Sequence, residues 1–504
     1  MTPSELAPLH ILLQLKCRSL LAAGGLIAAI AAPAAALPLE PMEIGSTSQF
    51  FIDDHVVDNR WSLKPKREEV VRVFHPPKKE ARNPLIAGGG GYVTATREAD
   101  TGLFKLWYQT SFRGGDDEER SEIAVAYAES KDGLAWTRPA LGLHAWSGSK
   151  ANNIVWKGIT DARASGPQVL DLPESARRGY RYIMAYRTAG GGRDFSGIRL
   201  VGSQDGIHWD KASDSLVVKL ASDTLNSIVF DPARGEYTMF CRPKDRYLVT
   251  RGEVIDSGES RRIARLVSKE LWSPWPGSPQ TILIPDELDL ERGFNRFYGM
   301  PGKVHAGITW GFLWPFKLNT DVWTELAWSR DGATFHRLPA RPRLLDLGAE
   351  GEWDDGMVFG SPDWIEVGDE WWIYYAGWDG PHGIPERTGG IGLARIRKEG
   401  LVSLRGPRGG GVVCTRLLIW PGGELLVNAD ASRGELKVRV SDEHRKVVPG
   451  FDYDDGMPFT GDAVSAGVSW RGKSLDEFKG RPIRLEFFLR DADLFTFRAT
   501  GAAR

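Results

Sequence analysis

The stretch Ser130-Lys131-Asp132-Gly133-Leu134-Ala135-Trp136 recurs along the chain, and its recurrence decides the reading of the fold. It returns as Ser203-Gln204-Asp205-Gly206-Ile207-His208-Trp209 and as Ser329-Arg330-Asp331-Gly332-Ala333-Thr334-Phe335. Each copy follows an apolar-alternating run: Ile123 to Ala128, Ile198 to Gly202, Glu325 to Trp328. Alternation marks a half-buried strand, and Asp-Gly makes a tight turn because glycine adopts a positive φ at little cost. Each copy therefore predicts a hairpin whose return strand opens on a packed aromatic. The first two copies are about 73 residues apart and the next two about 126. Arg265-Leu266-Val267-Ser268-Lys269-Glu270-Leu271-Trp272 fills the longer gap, with Glu-Leu in place of Asp-Gly, and Ala394 to Gly400 is a fifth, weaker copy. Self-similarity at a fixed period is the mark of a repeat architecture. The expectation is an all-β chain: a five-bladed β-propeller with blades near 83–147, 152–218, 223–283, 297–345 and 355–404, followed by a C-terminal β-sandwich.

The last unit opens on Gly351-Glu352-Trp353-Asp354-Asp355-Gly356-Met357-Val358-Phe359-Gly360 and runs on through Asp363-Trp364-Ile365-Glu366-Val367 to Trp371 and Trp378. Three carboxylates crowd the start of a buried strand, where they are costly unless paired or used. Gly406-Pro407-Arg408-Gly409-Gly410-Gly411 then marks a break, and short alternating runs beyond it predict the sandwich. Lys16 and Arg18, the apolar run Leu20 to Ile30 and Ala34-Ala35-Ala36 read as a secretory signal. The expected organisation is signal peptide 1–36, propeller 45–405 and sandwich 410–504, in a secreted or periplasmic protein with no membrane span after cleavage. Phe50 to Val57 either closes the ring or crosses its face.

Formal net charge is −2, and removal of 1–36 leaves it about −3, which gives no electrostatic case for nucleic acid. The chain has 58 glycines and 19 tryptophans, a composition that suits many β-turns and stacking on sugar rings. Cys241 and Cys414 read as isolated buried groups, and motifs for metal, nucleotide or dinucleotide binding are absent, so no metal or cofactor is expected. Arg113 to Arg120 and Gly190 to Gly192 read as solvated turns, while Gly88 to Gly91 would let backbone approach the axis.

A propeller gathers functional groups from several blades onto its axis. The polar residues near blade starts are Asn83; Asp223 and Asn226; Tyr298; and the Glu352/Asp354/Asp355 cluster. Trp310, Trp314 and Trp378 stand near strand ends, where at least one is expected to be a sugar platform, and His382 ends the last blade. Local turn-making is the plain alternative for the Asx residues.

The chain resembles the five-bladed propeller glycoside hydrolases related to families 32 and 43, and more closely the secreted bacterial family 32 N-terminal-domain type. The resemblance rests on Phe51-Ile52-Asp53-Asp54-His55, Asp223-Thr224-Leu225-Asn226, Phe230-Asp231-Pro232, Trp353 to Phe359, Gly423 to Ala429 and Arg490 to Phe495. It implies hydrolysis of glycosidic bonds by carboxylates rimming an axial funnel. The family 32 motif Trp-x-Asn-Asp-Pro-Asn-Gly is missing, so roles do not transfer by motif. Glycoside hydrolysis needs two carboxyl groups, one of them held protonated, at a spacing of ~5–5.5 Å for retention or ~6.5–9.5 Å for inversion. The candidates are Asp355 or Glu352 as acid, Asp223 as base or nucleophile and Asp54 as an orienting group, with Arg242 on a substrate hydroxyl or sugar carboxylate. A non-catalytic carbohydrate-binding propeller is the rival. A polysaccharide lyase using Tyr298, His305 and Arg242 is a third reading. Oligomeric state is left open.

Overall fold

The structure is a computed structural model that describes residues 40–501 apart from 63–68, 114–120, 160, 162, 189–195, 244–246, 251–252, 257–260, 318–319 and 385–386. The signal segment 1–36 and the loops at 114–120 and 190–192 fall outside the described residues. Nearly every regular element is a strand.

Five antiparallel sheets follow one another along the chain. Their first strands are Val93–Arg97, Ser165–Val169, Ser227–Asp231, Gly302–His305 and Met357–Gly360. Successive strands of each sheet pair outward from these, so the first strand lies at one edge and the last at the other. The outer strand of the first sheet is Ile154–Trp156, which the repeat spacing assigns to the second unit.

Consecutive sheets share apolar cores. Trp107 and Tyr127 of the first pack with Met184 and Tyr186 of the second. Ile183 and Leu200 meet Ile228 and Met239 of the third, and Val229 and Phe240 meet Met300 and Leu313 of the fourth. Trp310 and Phe312 meet Trp371 and Tyr375 of the fifth, while Trp372 and Tyr374 pack on Phe104 and Leu106 of the first. The ring is closed by these five interfaces, in which each fully buried large side chain contributes roughly 1.5–3 kcal/mol.

The recurring turn latches one sheet to the next. In each copy the aspartate accepts two backbone N–H bonds, from Leu134 and Ala135, from Ile207 and His208, and from Ala333 and Thr334. The glycine then takes φ +73°, +78° and +69°. Its carbonyl accepts a bond from the preceding sheet: Tyr374 hydroxyl to Gly133 at 2.8 Å, Trp107 Nε1 to Gly206 at 2.7 Å and Arg265 to Gly332 at 3.0 Å. A Cβ on Gly206 would stand 2.5 Å from the Trp107 ring, so the turn needs glycine for contact as well as for φ.

Two features depart from the sequence reading. The ring is completed by Lys78–Lys79 and Ile86–Ala87, which pair with Gly389–Arg397 as the outer strands of the fifth sheet. The earlier strands from Met42 to Phe74 pair instead with C-terminal strands. With the strands after residue 401 they build two six-stranded sheets around Val57, Trp420, Val427, Phe487, Leu489 and Phe497. Ring-type strands therefore begin beyond Phe74, not at 45. Phe50 to Val57 is the seam: Phe50 and Ile52 enter the core of the fourth and fifth sheets, whereas Phe51 and Val56 enter the sandwich core. Between Phe50 and Val57 the segment is not a strand and pairs with no sheet of the ring. Both Cys241 and Cys414 are buried and free. Among the described residues no helix is long and apolar enough to cross a membrane.

Candidate functional site at the axial mouth

The segments leading into the five first strands meet at one end of the axis. Leu225, Trp314, Phe316, Val322, Met357 and Phe359 form a buried cluster there, with Tyr92, Tyr298 and Trp378 half-buried around it. Tyr92 stacks on Trp314 with ring centroids 5.9 Å apart, and Phe359 stands edge-on to Trp378 at 5.3 Å. Two glycines allow this closeness: a Cβ on Gly91 would lie 2.6 Å from the Trp378 ring, and one on Gly299 would lie 2.5 Å from Thr224 Oγ1. The Gly88 to Gly91 run thus brings backbone against an aromatic at the axis.

The mouth is charged. Asp223, with its side chain 68% exposed, pairs with Arg187 at 3.0 Å. Arg242 is buried; its backbone N–H donates to Ser222 Oγ and its guanidinium donates to the Tyr298 carbonyl at 3.3 Å. Arg242 and Arg261 both lie over the Tyr298 ring, at 5.3 and 5.2 Å from its centroid. Burial and the Arg261 charge lower the Arg242 pKa, and burial with the Arg187 charge lowers that of Arg163. Burial, then the cations Arg261, Arg387 and Arg242, bring His382 down to about 4, so its ring is neutral at pH 7. Burial and neighbouring Tyr298 push the Tyr92 hydroxyl well above the ordinary tyrosine range, so it stays protonated. Thr224 Oγ1, Asn226 Oδ1 and Trp314 Nε1 are buried here without a protein hydrogen-bond partner. Buried polar atoms normally find partners, and a cluster that does not is free for water or ligand.

The acidic run from Glu352 divides. Asp354 turns inward, 1% exposed, to Lys79 at 2.6 Å and the Tyr375 hydroxyl at 2.9 Å. Glu352 and Asp355 hold the turn by accepting from the N–H of Ala349 and Gly351. Asp355 nevertheless precedes Met357 by two residues, as Asp223 precedes Leu225, and both apolar side chains sit in the axial cluster. Both aspartates therefore stand two residues from the same buried cluster. Asp321, next to Val322 of that cluster, joins them: burial raises its pKa, and the Asp355 charge adds to the rise against the pull of Arg343. Among the described residues no hydrogen bond or ion pair joins Asp223 to Glu352, Asp354 or Asp355.

Several sequence candidates stand elsewhere. Trp310 is 1% exposed in the core between the fourth and fifth sheets, donating to the His305 carbonyl, so it offers no face to a sugar. Asn83 binds the Tyr375 hydroxyl and both backbone groups of Leu393, which fixes the closing segment to the fifth sheet. Asp54 pairs with Arg72 on a strand of the sandwich. Trp314 is buried with only its indole N–H unpartnered, and Trp378, half-buried beside Gly91, is the tryptophan placed to stack. Asn226 donates to the Ser222 and Thr224 carbonyls, the turn-making role of an Asx side chain. Tyr298 and His382 are at the mouth, with ring centroids 5.4 Å apart. Sequence reasoning missed Tyr92, Arg163, Arg187, Arg261 and Asp321. A φ of +50° at Tyr92 marks its special position, but nothing local in sequence announces it. Among the described residues no cluster of three or more His, Cys, Asp or Glu is arranged to hold a metal ion.

No family model matches the chain, and no curated protein matches it in sequence. Among solved structures it is similar to a glycosyl hydrolase from Bacteroides ovatus at 13% identity, covering 65% of this chain and 97% of that one, with TM-score 0.44. A β-1,2-mannobiose phosphorylase from Listeria innocua aligns at 14% identity over 64% and 96% of the two chains, with TM-score 0.43. The catalytic domain of an α-L-arabinofuranosidase from Coprinopsis cinerea aligns at 9% identity over 64% and 95%, with TM-score 0.39. Likeness at this level assigns no activity.

Proposed function

We infer that the protein is a secreted glycosidase built on a five-bladed propeller related to the family 32/43 group, exported after cleavage near residue 36. The reading is supported by one observation: Asp223, Asp321 and Asp355 stand one or two residues before Leu225, Val322 and Met357, which share one buried cluster. In this reading Asp223 is base or nucleophile. The acid comes from the Asp321/Asp355 side, where burial and the Asp355 charge favour a retained proton on Asp321. Trp378 supplies a face for a sugar ring. Incubating the mature chain with aryl glycosides and polysaccharides tests this. Asp223→Asn and Asp355→Asn should each lower turnover by about 10²–10⁴-fold, the usual worth of a general acid or base.

The second reading, a carbohydrate-binding propeller without catalysis, is favoured by one fact: the Asp223 carboxylate is already engaged by Arg187. Retained sugar binding with no bond cleavage in wild type would establish it in place of the first.

A further inference from the structure

We propose that the axial mouth recognises a sugar carrying an oxyanion, a carboxylate or a sulfate ester, and that Arg242 is its principal contact. The inference rests on the carbohydrate reading of the same mouth and narrows its substrate class.

Arginines cluster at the mouth of a chain whose formal net charge is −2. Arg163, Arg187 and Arg242 gather there with Arg261 beside them, and Arg187 pairs with Asp223. Arg242 is 6% exposed, and no carboxylate is within ion-pair distance of it among the described residues. Among the described residues its guanidinium contacts a backbone carbonyl and an aromatic face, and its Nε has no partner. Arg163 Nε is likewise buried without a partner. A guanidinium held out of water with only neutral partners is costly unless a charge arrives to match it. Elsewhere in this fold buried arginines are matched within the chain: Arg337 binds Asp289 and Glu325 at 2.6 Å each.

The shape of the donor set points to an oxyanion. A guanidinium offers paired N–H groups that fit two oxygens of one acid group, and such charge-assisted bonds are about twice as strong as neutral ones. Near Arg242, Thr224 Oγ1 and Trp314 Nε1 add unpartnered donors that suit the remaining oxygens or adjacent hydroxyls. His382 is neutral at pH 7 and leaves the field to the arginines.

The test is calorimetric binding to the full mature chain of three oligosaccharides matched in length: neutral, uronate-bearing and sulfate-bearing. An acidic oligosaccharide should bind at least about tenfold more tightly than the neutral one. Arg242→Gln should erase that preference, and Arg242→Lys should restore little of it, because a point charge lacks the fork. Circular dichroism of each variant checks folding, and Arg471→Gln on the sandwich controls for diffuse attraction. Tighter binding of the uronate alone identifies the carboxylate, and of the sulfate alone the ester. Equal or better binding of the neutral sugar, unaltered in Arg242→Gln, overturns this inference and leaves the carbohydrate reading standing. Acidic binding without bond cleavage upholds it and removes the glycosidase. Binding of none of the three ends both.

Discussion

The two ends of the ring axis are built from the same five strands and treat charge in opposite ways. At the far end the strand termini line a hollow of about 490 Å³ that includes Glu98, Arg181, Lys303 and Asp363. There the charges are matched. Lys303 meets Asp363 at 2.5 Å and Asp171 at 3.7 Å. Glu98 meets Lys105 at 2.7 Å and Arg181 at 3.3 Å, and Arg181 also meets Asp100. At the mouth Arg242 is buried against a backbone carbonyl and an aromatic face, and Thr224 Oγ1, Asn226 Oδ1 and Trp314 Nε1 are buried without a partner among the described residues. Matched charges hold strand ends in register, whereas unmatched ones carry a cost that only a ligand or solvent can offset. Two ends of one scaffold thus separate fastening from recognition.

The strongest way to break this contrast is to unpair the far end. Asp363→Ala should destabilise the protein by about 2–3 kcal/mol in urea unfolding, below the ~3–5 kcal/mol for a wholly buried pair, because about a fifth of each side chain remains exposed. A loss under half of that would mean the far-end pairs are ornamental. Removing a mouth cation should cost little stability. Arg242→Gln should leave stability within about 1 kcal/mol of wild type, since it relieves repulsion from Arg261 while losing one bond to a carbonyl. A large loss would make Arg242 a structural arginine.

The pH responses sharpen the contrast further. His382 titrates near 4 in the folded state, below its ordinary range near 6.5, so its neutral form is the one folding favours. Its contribution to stability is complete above 6.5 and lost as pH falls towards 4. A ring-proton NMR titration should show a midpoint near 4 that rises in Arg242→Gln. For Glu98, burial alone would raise the carboxyl, but bonds from Lys105, Tyr182 and Thr101 bring it to about 2. Its contribution is present above 4.5 and lost as pH falls towards 2, so Glu98→Gln should flatten acid unfolding only in that lower window.

How far the sequence could be read follows from where each feature's partners lie. The Asp-Gly turns were legible because their chemistry is local: the aspartate binds N–H groups two and three residues on. The position of Asp223 and Asp355 ahead of a first strand was legible from the repeat. Asp354 was illegible because its partner, Lys79, lies 275 residues away. Trp310 and Trp378 look alike in sequence, and only the neighbouring sheet decides which is buried. Arg242 was named, whereas Arg163, Arg187 and Arg261 were missed because a long side chain reaches the mouth from positions whose own sequence carries no signal.

The pairing of Met42–Phe74 with strands from the other end of the chain has a consequence for how the molecule comes into being. A polypeptide made from its first residue onward must keep those early strands unmatched until the final ones, up to Ala499, have emerged. Such distant pairings form slowly, and bare strand edges invite wrong partners while they wait. Loss of even the last short stretch would leave Gln49–Phe50 without its neighbour, so truncation near the C-terminus should be felt first at the N-terminus.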